Sequence, residues 1–122
     1  IINMQINKTG KLFSFCCEAS GIIKELNSKK RNMLKKIGLD IGLLFQIADD
    51  LIDYMGDSKT VGKPTGSDKD KGKQTLVNLM GYKKTLTFAN NLKKKIGVKI
   101  KKYGIKSHDL QQSVEFILDR KF

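Results

Sequence analysis

The sequence predicts an all-α protein. The chain of 122 residues holds one proline and no tryptophan, and runs of Leu, Ile and Lys replace the closely spaced turn signals of a β-sandwich. Apolar residues recur at three- and four-residue intervals through most of its length. With 39% hydrophobic and 30% charged residues, it has enough apolar content for a packed core and too much for a disordered tail. The length bounds it to one domain or part of one.

The elements follow in order. From Gly10 to Leu26 the residues Leu12, Phe13, Phe15, Cys16, Ala19, Ile22 and Ile23 fall at helical spacing, with Glu18 and Lys24 outward, giving an amphipathic helix. Asn27 and Ser28 supply a turn and an N-cap, and a second helix runs from about Lys29 to Met55, where Gly56 stops it. From Ile37 to Met55 the only charged residues are Asp40, Asp49, Asp50 and Asp53, and Leu39, Ile41, Leu43, Leu44, Phe45, Ile47, Ala48, Leu51 and Ile52 surround the cylinder. A helix apolar on most sides is a buried, central one. It is not expected to span a membrane, because Asp40 and the Asp49-Asp50 pair interrupt the apolar run.

Between Gly56 and Gly72 the composition shifts to Gly, Asp, Lys, Ser and Thr, which predicts a long polar loop. A short helix is expected from about Lys73-Gln74 through Leu76, Val77 and Leu79. Gly81 to Lys102 reads as a lysine-rich surface helix with Leu86, Phe88, Ala89, Leu92, Ile96 and Ile100 inward, weakened in its middle by Gly97. After a turn at Tyr103-Gly104, Ser107 or Asp109 caps a last helix carrying Val114, Phe116, Ile117 and Leu118.

The formal net charge is +12, from 24 Lys and Arg against 12 Asp and Glu. Only Arg31 and Arg120 are arginines, so the excess is almost all lysine, and aromatics make up 7%. That composition points to a solvated lysine face or to small anionic ligands rather than to nucleic acid, whose readers favour arginine's bidentate fork and interleaved aromatics. Cys16 and Cys17 are adjacent and cannot easily bridge, which fits a reducing compartment, and both read as small core residues. The N-terminal stretch lacks the charged and apolar regions of a signal peptide. It also starts without methionine, so upstream residues are expected.

Asp49, Asp50 and Asp53 form D-D-x-x-D on the apolar helix, with Asp49 and Asp53 one turn apart on one face. Three carboxylates so placed repel each other unless cations neutralise them. Oxygen-only ligands on a rigid element suit Mg²⁺, which keeps several waters and takes further oxygens from phosphates. Gln46 lies on the same face, and Gly38 and Gly42 extend the stripe without side chains, like one wall of a cavity. The bland alternative is a solvated acidic patch paired with lysines.

Phe45-Gln46-Ile47-Ala48-Asp49-Asp50-Leu51-Ile52-Asp53, followed by Gly56-Asp57, Gly62-Lys63, Gly66-Ser67-Asp68 and Gly72-Lys73-Gln74-Thr75, resembles the second aspartate-rich motif of trans-isoprenyl diphosphate synthases of the farnesyl and geranylgeranyl type. Upstream, Lys8-Thr9-Gly10-x-Leu12 resembles the family's K-T-G-x-L segment. The resemblance implies an isoprenoid synthase-type helical bundle. It also implies Mg²⁺-assisted condensation of an allylic diphosphate with isopentenyl diphosphate, by a cytoplasmic homodimer. By resemblance, Asp49 is a direct metal ligand, while Asp50 and Asp53 hold metal-bound waters or orient it. Lys8, Lys63 and Lys73 contact the allylic diphosphate, and Thr9 and Gln46 line the reacting end. Thr9 could equally cap the following helix. Asp68 would organise the loop. Arg120-Lys121 either closes over isopentenyl diphosphate or is a solvated tail.

The family's first D-D-x-x-D has no counterpart, since D-D occurs once here. Complete members are also well over twice as long. The expectation is therefore that residues 1–122 are the C-terminal part of one polyprenyl synthetase domain, whose N-terminal half is needed for catalysis. The rival reading is a non-catalytic lysine-rich helical module or subunit that binds anionic partners.

Overall fold

The structure, a computed structural model, describes residues 2–59 and 75–120. The described residues form helices α1 (Ile2–Gln5), α2 (Lys11–Ile23), α3 (Ser28–Lys59), α4 (Leu76–Met80), α5 (Tyr82–Lys101) and α6 (His108–Asp119). A π-helical turn (Ile6–Gly10) leads into α2, and a 3₁₀ turn (Gly104–Ser107) leads into α6. No strand occurs among the described residues, so the all-α expectation holds. Of the expected loop, Thr60 to Gly72 lies outside the described residues, and with it Lys63, Asp68 and, just beyond, Lys73; Lys121 lies outside as well.

α3 is the axis of the molecule. Its 32 residues make a rod about 48 Å long at 1.5 Å per residue, and it touches α1, the π turn, α2, α4, α5 and α6. Ile37, Ile41, Leu43, Leu44, Ile47, Ala48 and Leu51 are all buried, as expected of a helix apolar on most sides. Leu76 and Val77 of α4, Ala89, Leu92, Ile96 and Ile100 of α5, and Val114 and Ile117 of α6 complete the core. Both ends of α3 differ from the expectation. Asn27, not Ser28, is the N-cap: its Oδ1 accepts from the Lys30 N–H at 2.9 Å and its carbonyl accepts from Arg31. Gly56 does not stop the helix, which continues to Lys59, because Gly56 lacks the left-handed conformation that would make it a C-cap.

α2 ends in a Schellman motif. Leu26 N–H donates to the Gly21 carbonyl and Glu25 N–H to the Ile22 carbonyl, with Glu25 at φ +57°. The face it buries corrects the sequence reading. Gly10, Ser14 and Gly21, with the half-buried Cys17, line the seam with α3 at helical spacing. Leu12 and Phe15 are each 65% exposed, Ile23 is 78% exposed, and Ile22 and Cys16 are exposed too. Of the apolar set only Phe13 packs on the core closely enough to belong to it, with its ring 5.6 Å from that of Phe45.

The reason lies on α3. A Cβ on Gly42 would stand 2.5 Å from Gly10 Cα, and one on Gly38 would stand 2.5 Å from the Phe13 carbonyl oxygen and 2.6 Å from Ser14 Cα. The two helices therefore meet backbone to backbone. Gly38 and Gly42, expected to line a cavity, are instead the seat of α2, and only small residues on α2 can face them.

α4 begins after Thr75, whose side chain accepts from the Asn78 N–H at 3.1 Å; the start expected at Lys73-Gln74 lies outside the described residues. Leu76 and Val77 are buried while Leu79 is exposed. Gly81, at φ +85°, turns the chain directly from α4 into α5. α5 runs unbroken through Gly97 and buries Thr85, Ala89, Leu92, Ile96 and Ile100. Its lysines are not all free surface charge. Lys99 and Lys95 reach Asp40 Oδ2 of α3 at 3.3 and 3.9 Å, and Lys93 reaches Glu115 of α6 at 3.0 Å. Ser107 precedes α6 but does not cap it through its side chain, which donates back to the Gly104 carbonyl and accepts from Gln111. On the last helix Val114 and Ile117 are buried, while Phe116 is exposed.

Two glycine substitutions are expected to act in opposite directions. Gly42→Ala forces a methyl into the α2 backbone and should cost about 1–3 kcal/mol. Gly97→Ala meets nothing within 4 Å and should gain about 0.5–1 kcal/mol from helix propensity. Urea unfolding of both variants beside the parent chain measures the two signs.

Candidate functional site

The α2–α3 seam brings two distant segments together. At its N-terminal end the π turn Ile6–Gly10 packs on α3, so that Gln46 Nε2 donates to Thr9 Oγ1 at 2.5 Å across 37 residues of sequence. Gln46 is buried and Thr9 partly so, while Lys8 next to it is exposed. Thr9 therefore does not cap α2, whose N-terminus has no side-chain cap.

Gln46 stands one turn before the aspartates. Asp50 is buried at 9% exposure, Asp53 is exposed, and the Asp49 side chain is 41% exposed. Asp49 faces the end of α6: Arg120 Nη2 donates to its Oδ1 at 2.8 Å. The same guanidinium lies 4.5 Å from the centroid of the Phe45 ring, and Arg120 Nε donates to the Ile117 carbonyl at 3.0 Å. Phe45 thus carries Phe13 of α2 and Arg120 of α6 on one ring. Such a charge-assisted, ring-supported contact is stronger than an ordinary surface ion pair.

Among the expected site residues, Gln46, Asp49, Asp50 and Asp53 share one stretch of α3, Thr9 joins them through Gln46 and Arg120 through Asp49, while Lys8 is an exposed neighbour of Thr9. Arg120 is not a solvated tail, since its side chain is 11% exposed. Lys63 and Lys73 lie outside the described residues. The partnership of Arg120 with Asp49 had no signal in the sequence, because 71 residues separate them. The role of Phe45 as the platform beneath the guanidinium was equally silent.

Among the described residues no three acidic, histidine or cysteine side chains converge into a cluster able to hold an ion by themselves. The aspartates form one wall. Their donors are all oxygen, Asp49 is partly open to solvent, and a cation, the Arg120 guanidinium, already stands on its Oδ1. That chemistry fits a divalent ion that draws its remaining ligands from water, phosphate oxygens and an opposing wall.

The cysteines sit away from this chemistry. Burial, and after it the neighbouring Cys16, push the Cys17 thiol above its ordinary value. Among the described residues no helix is long and apolar enough to cross a membrane.

The fold and site define a helical bundle built around a D-D-x-x-D helix, and comparison with known proteins gives the family. The polyprenyl synthetase family model matches residues 2–114. The chain is 31% identical over 116 residues to the short chain isoprenyl diphosphate synthase of Methanocaldococcus jannaschii, covering 95% of this chain and 35% of that protein. It is 38% identical over 117 residues to the geranylgeranyl diphosphate synthase of Saccharolobus solfataricus, covering 95% and 34%. Among solved structures, a geranylgeranyl pyrophosphate synthase superposes with a TM-score of 0.74 at 21% identity, over 99% of this chain and 51% of that one. The Helicobacter pylori geranyltransferase superposes with a TM-score of 0.68 at 23% identity, over 97% and 37%. This chain belongs to the polyprenyl synthetase family, and it spans about a third of the length of the curated relatives named here. These findings do not favour the lysine-rich binding module.

Two measurements check the site. In a double-mutant cycle, Thr9→Val and Gln46→Leu should couple by about 0.5–1.5 kcal/mol in urea unfolding, the net worth of one side-chain hydrogen bond; additive losses would mean the contact is absent in solution. Iodoacetamide should alkylate Cys16 before Cys17, and the raised pKa means that Cys17 labelling sets in at higher pH. Peptide mapping that found Cys17 labelled first would contradict the placement.

Proposed function

We propose that residues 1–122 form the C-terminal part of a polyprenyl synthetase domain and provide the second aspartate-bearing wall of a trans-prenyltransferase site. The substrates on this reading are an allylic diphosphate and isopentenyl diphosphate, condensed to a longer trans-prenyl diphosphate. The single observation that carries the proposal is the Thr9–Gln46 hydrogen bond, which seats the Lys8-Thr9 pair against the helix of Asp49, Asp50 and Asp53.

Asp49, with Asp50 and Asp53 behind it, would hold Mg²⁺, whose contribution when bound is to neutralise the charge of the diphosphate leaving group. Lys8 adds a positive charge at the same end of the site, with no acidic residue next to it in sequence to cancel it. Thr9 and Gln46 fix each other, so the turn that carries Lys8 is positioned before substrate arrives. Lys63 and Lys73 join the diphosphate-binding set by their motif positions. Phe45, Phe13 and the buried aliphatics of α3 keep the wall beside these polar groups apolar, as a carbocation shielded from water requires.

The exposed stripe of Leu12, Phe15, Cys16, Ile22 and Ile23 supports the view that α2 packs against a further helical segment, the N-terminal part of the domain. Such a stripe is costly to leave in water. Both the first aspartate-rich motif and an isopentenyl diphosphate site would come from that segment. The complete enzyme is read as a homodimer, and two unbridged cysteines agree with a cytoplasmic location.

The test joins this chain to the N-terminal two-thirds of a full-length relative. The joined enzyme should extend an allylic diphosphate in a Mg²⁺-dependent reaction, and Asp49→Ala should lower kcat/KM by about 100-fold or more. Turnover unchanged in Asp49→Ala would refute the site assignment.

A further inference from the structure

The contact between Arg120 and Asp49 carries an inference beyond prenyl transfer, and it rests on the reading of Asp49 as a Mg²⁺ ligand. We propose that Arg120 is a built-in stand-in for the metal: its guanidinium and Mg²⁺ compete for Asp49, so that metal loading expels the Arg120 side chain.

Four observations converge. Arg120 Nη2 lies 2.8 Å from Asp49 Oδ1, one of the two carboxylate oxygens open to a divalent ion. The guanidinium is held from two other sides, by the Phe45 ring at 4.5 Å and by the Ile117 carbonyl through Nε, so its position is built and not a chance excursion of a long side chain. Its side chain is 11% exposed while that of Asp49 is 41% exposed, which leaves the carboxylate open to an incoming ion from the solvent side. Finally, α6 ends at Asp119 and Arg120 leaves the helical conformation, with φ −59° and ψ 138°. The side chain that folds back on Asp49 therefore belongs to the residue at which the helix ends.

The chemistry sets the two cations in competition. Arginine keeps its charge at any accessible pH, so the guanidinium cannot be switched off and can only be displaced. A guanidinium and a divalent ion on one carboxylate would repel each other at contact distance. Without metal, Arg120 neutralises Asp49, which stands one turn from Asp53 and beside Asp50 in an otherwise apolar helix. With metal, that task passes to the ion, and the Arg120 side chain is released. Arg120 on this account is a positioning residue acting through Asp49.

A test is available because the chain has only two arginines, Arg31 and Arg120, so the side-chain Nε–H resonances are two in number. Arg31 lies near the start of α3, far along the helix from Asp49, and serves as an internal reference. The 122-residue chain labelled with ¹⁵N is titrated with MgCl₂ at a fixed excess of inorganic pyrophosphate, which supplies the phosphate oxygens that the aspartate wall lacks, with pyrophosphate alone as the blank. The Arg120 signal should move toward that of a free guanidinium while the Arg31 signal stays in place, and Asp49→Asn should abolish the response.

Arg120→Gln should bind Mg²⁺ about tenfold more tightly than the parent, the worth of one charge-assisted hydrogen bond to a half-exposed carboxylate. Arg120→Lys, which keeps the charge, should fall between the two. If Mg²⁺ shifts the Asp49 signals and leaves Arg120 unmoved, or binds Arg120→Gln no more tightly than the parent, Arg120 is a static brace and the exchange is refuted. If Mg²⁺ shifts neither residue in any of these proteins, the reading of Asp49 as a metal ligand fails, and the proposal fails with it.

Discussion

Everything in this molecule that bears on function hangs on the contact between two backbones. α2 lies on α3 at Gly38 and Gly42 so closely that a single methyl at either position would collide with the facing main chain. Close approach strengthens dispersion between the helices, and its consequence is geometric. It brings Thr9, just before α2, within hydrogen-bond reach of Gln46. The same contact carries Phe13 onto Phe45. A larger residue in the seam would push the Lys8-Thr9 turn away from the aspartate helix, and the two motifs would remain neighbours in sequence order only.

The second constraint is electrostatic. α3 is buried through its middle, from Ile37 to Leu51, and nevertheless carries Asp40, Asp49 and Asp50 within that stretch and Asp53 just beyond it, which an apolar core does not tolerate uncompensated. Asp40 is answered by Lys95 and Lys99 of α5, and Asp49 by Arg120 beyond α6. Each answer also ties an outer helix to the central one, so these charges also organise the bundle. These pairs are partly exposed and contribute modestly to stability. Their larger effect is to set where α5 and the end of α6 stand.

The sequence showed its helices clearly and their contacts poorly. The burial of α3 was legible because apolar residues surround it, and the inward residues of α5 followed from their spacing. D-D-x-x-D and K-T-G-x-L were legible as motifs. The face of α2 was not. Hydrophobic periodicity identified Leu12, Phe15, Ile22 and Ile23 as the packing stripe, but the partner surface at Gly38 and Gly42 admits only the small residues Gly10, Ser14 and Gly21. Periodicity reports which side of a helix is apolar and not which side a given neighbour takes. Gly56 was misleading for a related reason: a glycine marks a helix end only where the chain needs a left-handed residue, and here the helix continues. The pairing of Arg120 with Asp49 was beyond any local pattern. Lys63 and Lys73 stay where the sequence left them, as expectations from motif position.

The central claim is that the glycine seam joins the two motifs into one site, and its most direct measure is the nuclear Overhauser effect between the Gly10 and Gly42 α-protons in the 122-residue chain. The close approach of Gly42 to Gly10 Cα predicts a strong cross-peak, accompanied by one between the Thr9 methyl and the Gln46 side-chain amide. A well-dispersed helical spectrum lacking both cross-peaks would mean that α2 does not seat on α3 in this way, and the account of the site would be wrong.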